Sequence, residues 1–159
     1  RQVGEYIKDK LDICEEHVNF MTKTKDLMQN YQYYGVFFMI KKVAAVIIKN
    51  DCILSVSKKK APNFYMLPGG KYEGTENDIE ALSRELREEL NVTISKMEFF
   101  GDYEDISMLE NEKLFLRTYI TEINGEPHPD NEIHNVKWIP IHANCNTEIG
   151  SGIAKFVNL

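Results

Sequence analysis

The clearest periodic pattern in the chain runs from Asn77 to Val92 and predicts an amphipathic helix. Thr75 is the expected N-cap, with Asp78 three positions later in the place of a capping box. Asn91 is expected to end the helix in the left-handed conformation, which asparagine tolerates well. The apolar residues recur at helical spacing, so one face should pack on a core: Ile79, Leu82, Leu86 and Leu90.

A second helical pattern covers residues 3 to about 28, where apolar residues recur every three or four positions. We interpret residues 1–34 as an N-terminal helical extension and residues 35–159 as the main domain. The extension is expected to pack on the domain as an extra layer. Its heptad-like spacing leaves a homodimer formed through this helix as the alternative.

Apolar runs elsewhere in the chain predict strands. Val36–Ile40 and Val43–Ile48 are apolar, β-branched and continuous, so at least one of them should be a central strand. Asn50 and Asp51 form a turn signal that predicts a hairpin with Ile53–Ser57. The remaining segments are three strands and one closing helix: Ile94–Tyr103, Leu114–Thr121, Asn135–Ile139 and Ile153–Val157.

Composition and charge are ordinary for a globular protein of 159 residues, with 43% hydrophobic residues and a net charge of −6. No basic face is evident, so a nucleic-acid polymer is not expected as a partner. No apolar run is long enough to span a bilayer, so no membrane is expected either. Cys14, Cys52 and Cys145 form no C-x-x-C pair, and this predicts a reduced protein in the cytoplasm.

A glycine turn precedes the predicted helix, and three glutamates lie off its apolar stripe. Leu67-Pro68-Gly69-Gly70 predicts a loop with uncovered backbone, which suits a metal or a phosphate. Glu85, Glu88 and Glu89 are related as i, i+3 and i+4, so their carboxylates should converge. Oxygen ligands of this kind favour Mg²⁺, with Mn²⁺ as a substitute. A solvated acidic helix face is the alternative.

The segment from Gly70 onward resembles the Nudix box. Five residues separate Gly70 from Glu76, and seven separate Glu76 from Arg84. The next residues match the rest of the box: Glu85-Leu86-Arg87-Glu88-Glu89-Leu90-Asn91-Val92, with Asn91 in place of the usual glycine. The resemblance implies a Nudix-type α/β/α sandwich with a mixed sheet. It also implies a metal-dependent hydrolase of nucleoside diphosphate-linked compounds that acts on a small-molecule nucleotide.

The resemblance implies roles for individual residues of the box. Glu85 and Glu89 are expected to ligate the metal directly, and Gly69 to add its backbone carbonyl. Glu88 is a further metal ligand and a candidate general base. Arg84 is placed with the catalytic residues in a supporting role, as the ion-pair partner of Glu76 that holds the loop on the helix.

Residues outside the box are assigned with open alternatives. Glu132, six positions before Trp138, is in the place of a distal catalytic glutamate in MutT-like proteins and is the other candidate base. An ordinary surface role for Glu132 is equally compatible, and Glu110 and Glu112 are rivals. The substrate-binding candidates are Gly70, Lys71 and Lys59, although the run Lys58–Lys60 also fits a solvated basic loop.

The substrate follows by elimination among branches of the family. Ile106 and Ser107 stand where the ADP-ribose branch has a proline, and Tyr103 is too early for the dinucleoside-polyphosphate branch. A coenzyme A signature is absent. The remaining expectation is a MutT-like nucleoside triphosphate pyrophosphohydrolase, with oxidised purine nucleotides as the first candidates. An ADP-ribose or nucleotide-sugar pyrophosphatase, and a non-catalytic nucleotide-binding module, stay open as alternatives.

Overall fold

A computed structural model of the chain describes residues 39–107, 112–141, 148–149 and 153. The predicted extension, residues 1–34, lies outside the described residues, as does the predicted closing helix apart from Ile153. The elements in chain order are β1 (Met39–Val46), β2 (Ile48–Lys49), β3 (Cys52–Lys58), β4 (Ala61–Met66), β5 (Gly69–Lys71), α1 (Asp78–Leu90), β6 (Thr93–Ile106), β7 (Lys113–Asn124), β8 (Ile133–Pro140) and β9 (Glu148–Ile149).

The strands form two sheets. The first has the order β5-β1-β7-β6, and the second has the path β2-β3-β4-β9 with β8 also paired to β3. Strand β3 is antiparallel to β2, β4 and β8, whereas β4 and β9 are parallel. The β-structure thus contains both parallel and antiparallel pairs, and α1 packs on it. This arrangement confirms the predicted fold class.

Alternate residues of β1 face two different clusters of the core. Val43 and Ala45 are fully buried with Leu82, Leu86 and Leu90 of α1. Ala44 and Val46 face the other way, into a cluster that also contains Ile53, Tyr65, Leu67, Ile139 and Ile153. Because both faces are covered, β1 is the central strand that the apolar run predicted.

The hairpin between β2 and β3 is built by the predicted turn. Asn50 and Asp51 have φ values of 52° and 57° and connect the pair Lys49 and Cys52. Two consecutive residues at positive φ are typical of the type I′ turn, whose twist matches that of the strands.

The start of α1 differs from the prediction. Asn77, not Thr75, is the N-cap: its side chain accepts a hydrogen bond from the Glu80 amide at 3.0 Å, and Glu80 accepts from the Asn77 amide at 2.9 Å. A reciprocal capping box needs, three residues after the N-cap, a side chain long enough to accept a hydrogen bond from the N-cap amide. Glu80, three residues after Asn77, is long enough, whereas Asp78, three residues after Thr75, is shorter by one methylene group. The predicted apolar stripe is also wrong at Ile79, which is 53% exposed, while Ala81 is buried in its place.

Three predictions for the strands are corrected. Of the predicted strand Val36–Ile40 only Met39 and Ile40 are described, and they belong to the same strand as Val43–Val46, while Ile48 belongs to β2. The segment after the run Lys58–Lys60, for which no strand was predicted, contains β4. Gly69–Lys71 is a short strand at the edge of its sheet, where glycine is tolerated because only one neighbour must be paired.

Candidate active site

Glu89 is the buried carboxylate at the centre of the site. Its residue is 1% exposed, and its Oε2 accepts a hydrogen bond from the Gly69 amide at 3.0 Å. Its Oε1 is buried without a hydrogen-bond partner among the described residues. Burial raises the pKa of Glu89 to about 8, although the Gly69 amide and the charge of Lys58 oppose that rise.

Glu85 lies one turn earlier on α1, against the backbone of β5. A Cβ atom at Gly70 would be 2.2 Å from Glu85 Oε1, so only glycine allows this approach. At Gly69, with φ of 138°, a Cβ would be 2.2 Å from the Val43 carbonyl oxygen of β1. Burial raises the pKa of Glu85, against the hydrogen bond from Arg84. Because both glycines lack a side chain, the backbone of β5 lies close both to β1 and to Glu85 and Glu89 of α1.

Arg84 ties the loop before α1 to the helix. Its Nε and NH2 donate to Glu76 at 2.7 and 2.9 Å, which confirms the predicted ion pair. NH2 also donates to the Lys71 carbonyl at 2.9 Å, and NH1 donates to Glu85 at 3.0 Å and to Glu88 at 3.4 Å. The hydrogen bond from Arg84 lowers the pKa of Glu76 to about 2. One guanidinium thus positions β5, the loop and two box glutamates.

Lys58, at the end of β3, is the cation nearest to the buried carboxylate. Its ammonium donates a hydrogen bond to Glu132 and lies 3.8 Å from Glu89 Oε1. Burial would lower the pKa of Lys58, but the hydrogen bond to Glu132 and the charge of Glu89 raise it overall. The side chain of Lys58 is 16% exposed, while that of Glu132 is 56% exposed. Glu132 is therefore joined to the site through a lysine.

The loop before β8 is fastened to the end of α1, and this places Glu132. Asn131 donates from its amide side chain to the Glu88 carbonyl at 2.9 Å, and the Asp130 amide donates to the Glu89 carbonyl at 2.9 Å. Lys59 donates from its side chain to the Asn131 carbonyl at 2.5 Å. The polar groups at the end of the helix are thus satisfied by a segment distant in sequence.

The structure brings most of the predicted site residues together. Glu85, Glu88, Glu89, Arg84, Gly69, Gly70 and Glu132 all lie around the C-terminal half of α1 and β5. The side chain of Lys71 is exposed, and Lys59 contacts the loop backbone rather than a carboxylate. The rival Glu112 is exposed beside Ser107, and Glu110 lies outside the described residues.

Lys58 and Asn131 are the contacts that sequence reasoning missed. Lys58 was visible only as the first of three lysines, and nothing local distinguished it from Lys59. A signal was present, since Lys58 lies two residues beyond Val56, in the row of β3 that faces α1. Among the described residues, no three His, Cys, Asp or Glu side chains are arranged as a ready metal site. The glutamates contact Arg84 and Lys58 instead.

Comparison with known proteins decides the family. The model of the NUDIX domain matches residues 39–158. The chain belongs to the Nudix family. As a Nudix protein it is a pyrophosphohydrolase, and the segment that resembles the family's box includes Glu85, Glu88 and Glu89 of α1. Within the part of the chain that the structure describes, no helix has the length and hydropathy needed to cross a bilayer.

Two kinds of relatives accompany this match. A protein of Mycobacterium tuberculosis, provisionally named 8-oxo-dGTP diphosphatase 2, is 30% identical over 112 residues, which cover 62% of this chain and 79% of the relative. The MutT Nudix hydrolase of Burkholderia pseudomallei is 24% identical, with a TM-score of 0.58 over 65% of this chain and 84% of that one. A Nudix hydrolase of Nitrosomonas europaea has a TM-score of 0.56 at 24% identity, over 65% of this chain and 74% of that one. The two solved structures establish the Nudix fold.

Proposed function

We propose that this Nudix hydrolase is a metal-dependent, MutT-like nucleoside triphosphate pyrophosphohydrolase that releases a monophosphate and pyrophosphate. The observation that carries the proposal is Glu89, a carboxylate that is 1% exposed and whose Oε1 has no hydrogen-bond partner among the described residues. A buried carboxylate of this kind costs free energy unless a cation accompanies it in the working state. A buried group that lowers the stability of the fold in this way is more typical of a functional site than of a structural one.

The residues present fit a divalent metal with oxygen ligands. Glu85 and Glu89 would hold it, with Glu88 and the backbone of Gly69 as further candidates. Carboxylate and carbonyl oxygens are the donors that Mg²⁺ and Mn²⁺ prefer. The missing Cβ of Gly70 leaves room for the carboxylate of Glu85 against β5. When bound, the metal would neutralise charge on a diphosphate and acidify a water molecule.

The protein itself would supply positioning and a proton acceptor. In the reaction, the oxygen of water bonds to phosphorus, the bridging P–O bond breaks, and the proton of water moves to a carboxylate. Arg84 fixes Glu85 and Glu88 at 3.0 and 3.4 Å, so the box glutamates keep their relative orientation. Glu88 and Glu132 are exposed carboxylates at the rim, with side chains 50% and 56% exposed, and they are the candidates for the proton acceptor.

Oxidised purine triphosphates are the proposed substrates. The Mycobacterium tuberculosis relative, by its provisional name, acts on 8-oxo-dGTP, and this chain aligns with 79% of it. A triphosphate held over metal would be recognised mainly by charge, so discrimination between bases requires a separate pocket.

A hydrolysis panel tests the proposal. Purified protein with Mg²⁺ would be offered 8-oxo-dGTP, the ordinary nucleoside triphosphates, ADP-ribose and nucleotide sugars, and the products would be separated by ion-exchange chromatography. We expect 8-oxo-dGTP to give monophosphate and pyrophosphate in equal amounts. Faster turnover of ADP-ribose or of a nucleotide sugar would show that the substrate is one of these compounds and not an oxidised purine triphosphate. Tight binding of nucleotide without turnover would instead identify a binding module.

The identity of the general base is tested by Glu88→Gln and Glu132→Gln. Loss of a general base typically lowers kcat by about 10²–10⁴-fold. We expect one of the two variants to show this loss and to lose the acid limb of its pH–rate profile, while the other keeps that limb. If both variants keep the limb, the base is neither residue.

A further inference from the structure

Lys58 occupies the position between the buried and the exposed carboxylates of the site. Its ammonium is hydrogen-bonded to Glu132 and lies 3.8 Å from Glu89 Oε1, the oxygen that has no hydrogen-bond partner among the described residues. The side chain is 16% exposed, so this cation is mostly removed from water. A charge buried to this degree interacts strongly with its neighbours because solvent screens it weakly.

The backbone of β3 directs Lys58 to this position. Leu54 and Val56 of the same strand pack against α1, and Lys58 reaches the same helix at Glu89. The extra residue of the register shift lies on β8, because Ser57 pairs with Asn135 and Lys58 with Ile133. Strand β3 therefore keeps its alternation, and Lys58 lies beside the segment that carries Glu132.

We propose that Lys58 is the resident counter-ion of the site, and that a divalent metal must displace its ammonium from Glu89 and Glu132. The proposal rests on the metal-dependent function proposed above. In the absence of metal, Lys58 offsets the repulsion between Glu85, Glu89 and Glu132. When metal binds, the same ammonium is a like charge beside it. Lys58 therefore lowers metal affinity and stabilises the metal-free protein.

Lys60 offers a matched control two residues away. Its side chain is exposed, and it takes no part in the contacts of the site described above. Removing the charge of Lys60 changes the net charge of the protein by the same amount as removing that of Lys58. A difference between the two variants therefore reports position, not net charge.

The first experiment measures Mg²⁺ binding by calorimetry at pH 9, without nucleotide, where carboxylates are ionised and lysine is still charged. We expect Lys58→Met and Lys58→Gln to bind Mg²⁺ at least about tenfold more tightly than the parent, because a like charge is removed. Lys58→Arg keeps the charge and should bind like the parent, as should Lys60→Met. Equal or weaker binding by both uncharged Lys58 variants would overturn the proposal.

The second experiment measures thermal unfolding in EDTA and in Mg²⁺. At pH 9, Lys58→Met should melt below the parent in EDTA, since the ionised Glu89 then lacks its cation, and Mg²⁺ should raise its melting temperature by more than it raises that of the parent. An unchanged melting temperature in EDTA would also contradict the proposal. If the parent itself binds no Mg²⁺ and hydrolyses no nucleotide, the proposed function fails. If the parent binds Mg²⁺ and the Lys58 variants match it, only the role of Lys58 fails.

Discussion

Glu89 shows how a single residue can be kept at a cost to stability. Its carboxylate is 1% exposed, and the Gly69 amide satisfies one of its two oxygens. The folded state raises its pKa from the ordinary 4.5 to about 8, so folding favours the protonated form. In the unfolded chain the same group ionises freely above pH 4.5. The contribution of Glu89 to the stability of the metal-free protein should therefore fall as the pH rises from about 4.5 to about 8, and stay constant beyond that range.

The variant Glu89→Gln separates the role of this carboxylate in activity from its effect on stability. Glutamine keeps the size and removes the charge, so we expect activity to fall by about 100-fold or more. In EDTA at pH 8.5, the variant should melt at least a few degrees above the parent, and the difference should vanish near pH 5. Circular-dichroism melts at both pH values measure this, with Glu98→Gln as a surface control. A variant that keeps near-normal turnover would show that the metal ligands are assigned wrongly.

Asn91 ends α1 at φ 55° and ψ 38°, which confirms the predicted left-handed conformation. Its amide donates to the Arg87 carbonyl at 3.0 Å, so the conformation is part of the helix cap. Asn91→Gly should be neutral or slightly stabilising. Asn91→Val should destabilise the protein by about 1–2 kcal/mol, because a β-branched residue is strained there. Urea unfolding of both variants measures the difference, and equal stability would contradict the argument.

At the scale of elements, α1 is held to the sheet by a polar cluster at its first residue. Asp78 accepts hydrogen bonds from Tyr72 at 2.8 Å and from Tyr119 of β7, and it lies 3.5 Å from the guanidinium of Arg117. Burial and the bond to Asp78 raise the pKa of Tyr119 to about 12, so the phenol stays a donor. The carboxylate also lies at the positive end of the helix dipole. This cluster therefore holds the first turn of α1 against β7, and the glutamates of the site lie further along the same helix.

We expect Asp78→Ala to destabilise the protein by about 2 kcal/mol, because two tyrosine hydroxyls lose their acceptor. The matched control is Asp102→Ala, which removes the exposed bidentate pair with Arg117 at 2.8 and 2.9 Å. That loss should cost less than about 1 kcal/mol, as is usual for exposed ion pairs. Chemical unfolding measures both values. A cost for Asp102→Ala that equals or exceeds that of Asp78→Ala would refute this assignment.

Local patterns predicted the elements whose causes are local. The 3.6-residue period of α1, the left-handed Asn91, the turn at Asn50 and Asp51, and the Arg84–Glu76 pair depend on residues close in sequence. The strand β4 was missed because Ala61–Met66 contains a proline and lacks clear alternation, and its pairing with β3 decides its conformation. Lys58 was missed for the same reason, since only the pairing of β3 with β8 brings it to Glu132.

At the scale of the whole molecule, the proposed metal should contribute to stability. A ligand that binds the folded state alone stabilises it by about 2.7 kcal/mol at 100 times its dissociation constant. For a chain of this size, that gain raises the melting temperature by roughly 5–10 °C. Differential scanning fluorimetry with increasing Mg²⁺ measures the shift, and Glu89→Gln is the control that should abolish it. A shift that survives in the control would place the ion elsewhere.

The pairing of β3 with β8 has a consequence for the order of folding. It joins Lys58 to Glu132, which are 74 residues apart, and Ser55 to Lys137, which are 82 apart. Closing loops of that length costs chain entropy before the stabilising contacts form, and pairings between residues distant in sequence therefore slow folding. A nascent chain can form the 13 residues of α1 early, but its glutamates then lack Lys58 and Glu132 as neighbours. In refolding, nucleotide hydrolysis should therefore return with the slowest phase of β-sheet formation, well after helical signal has recovered.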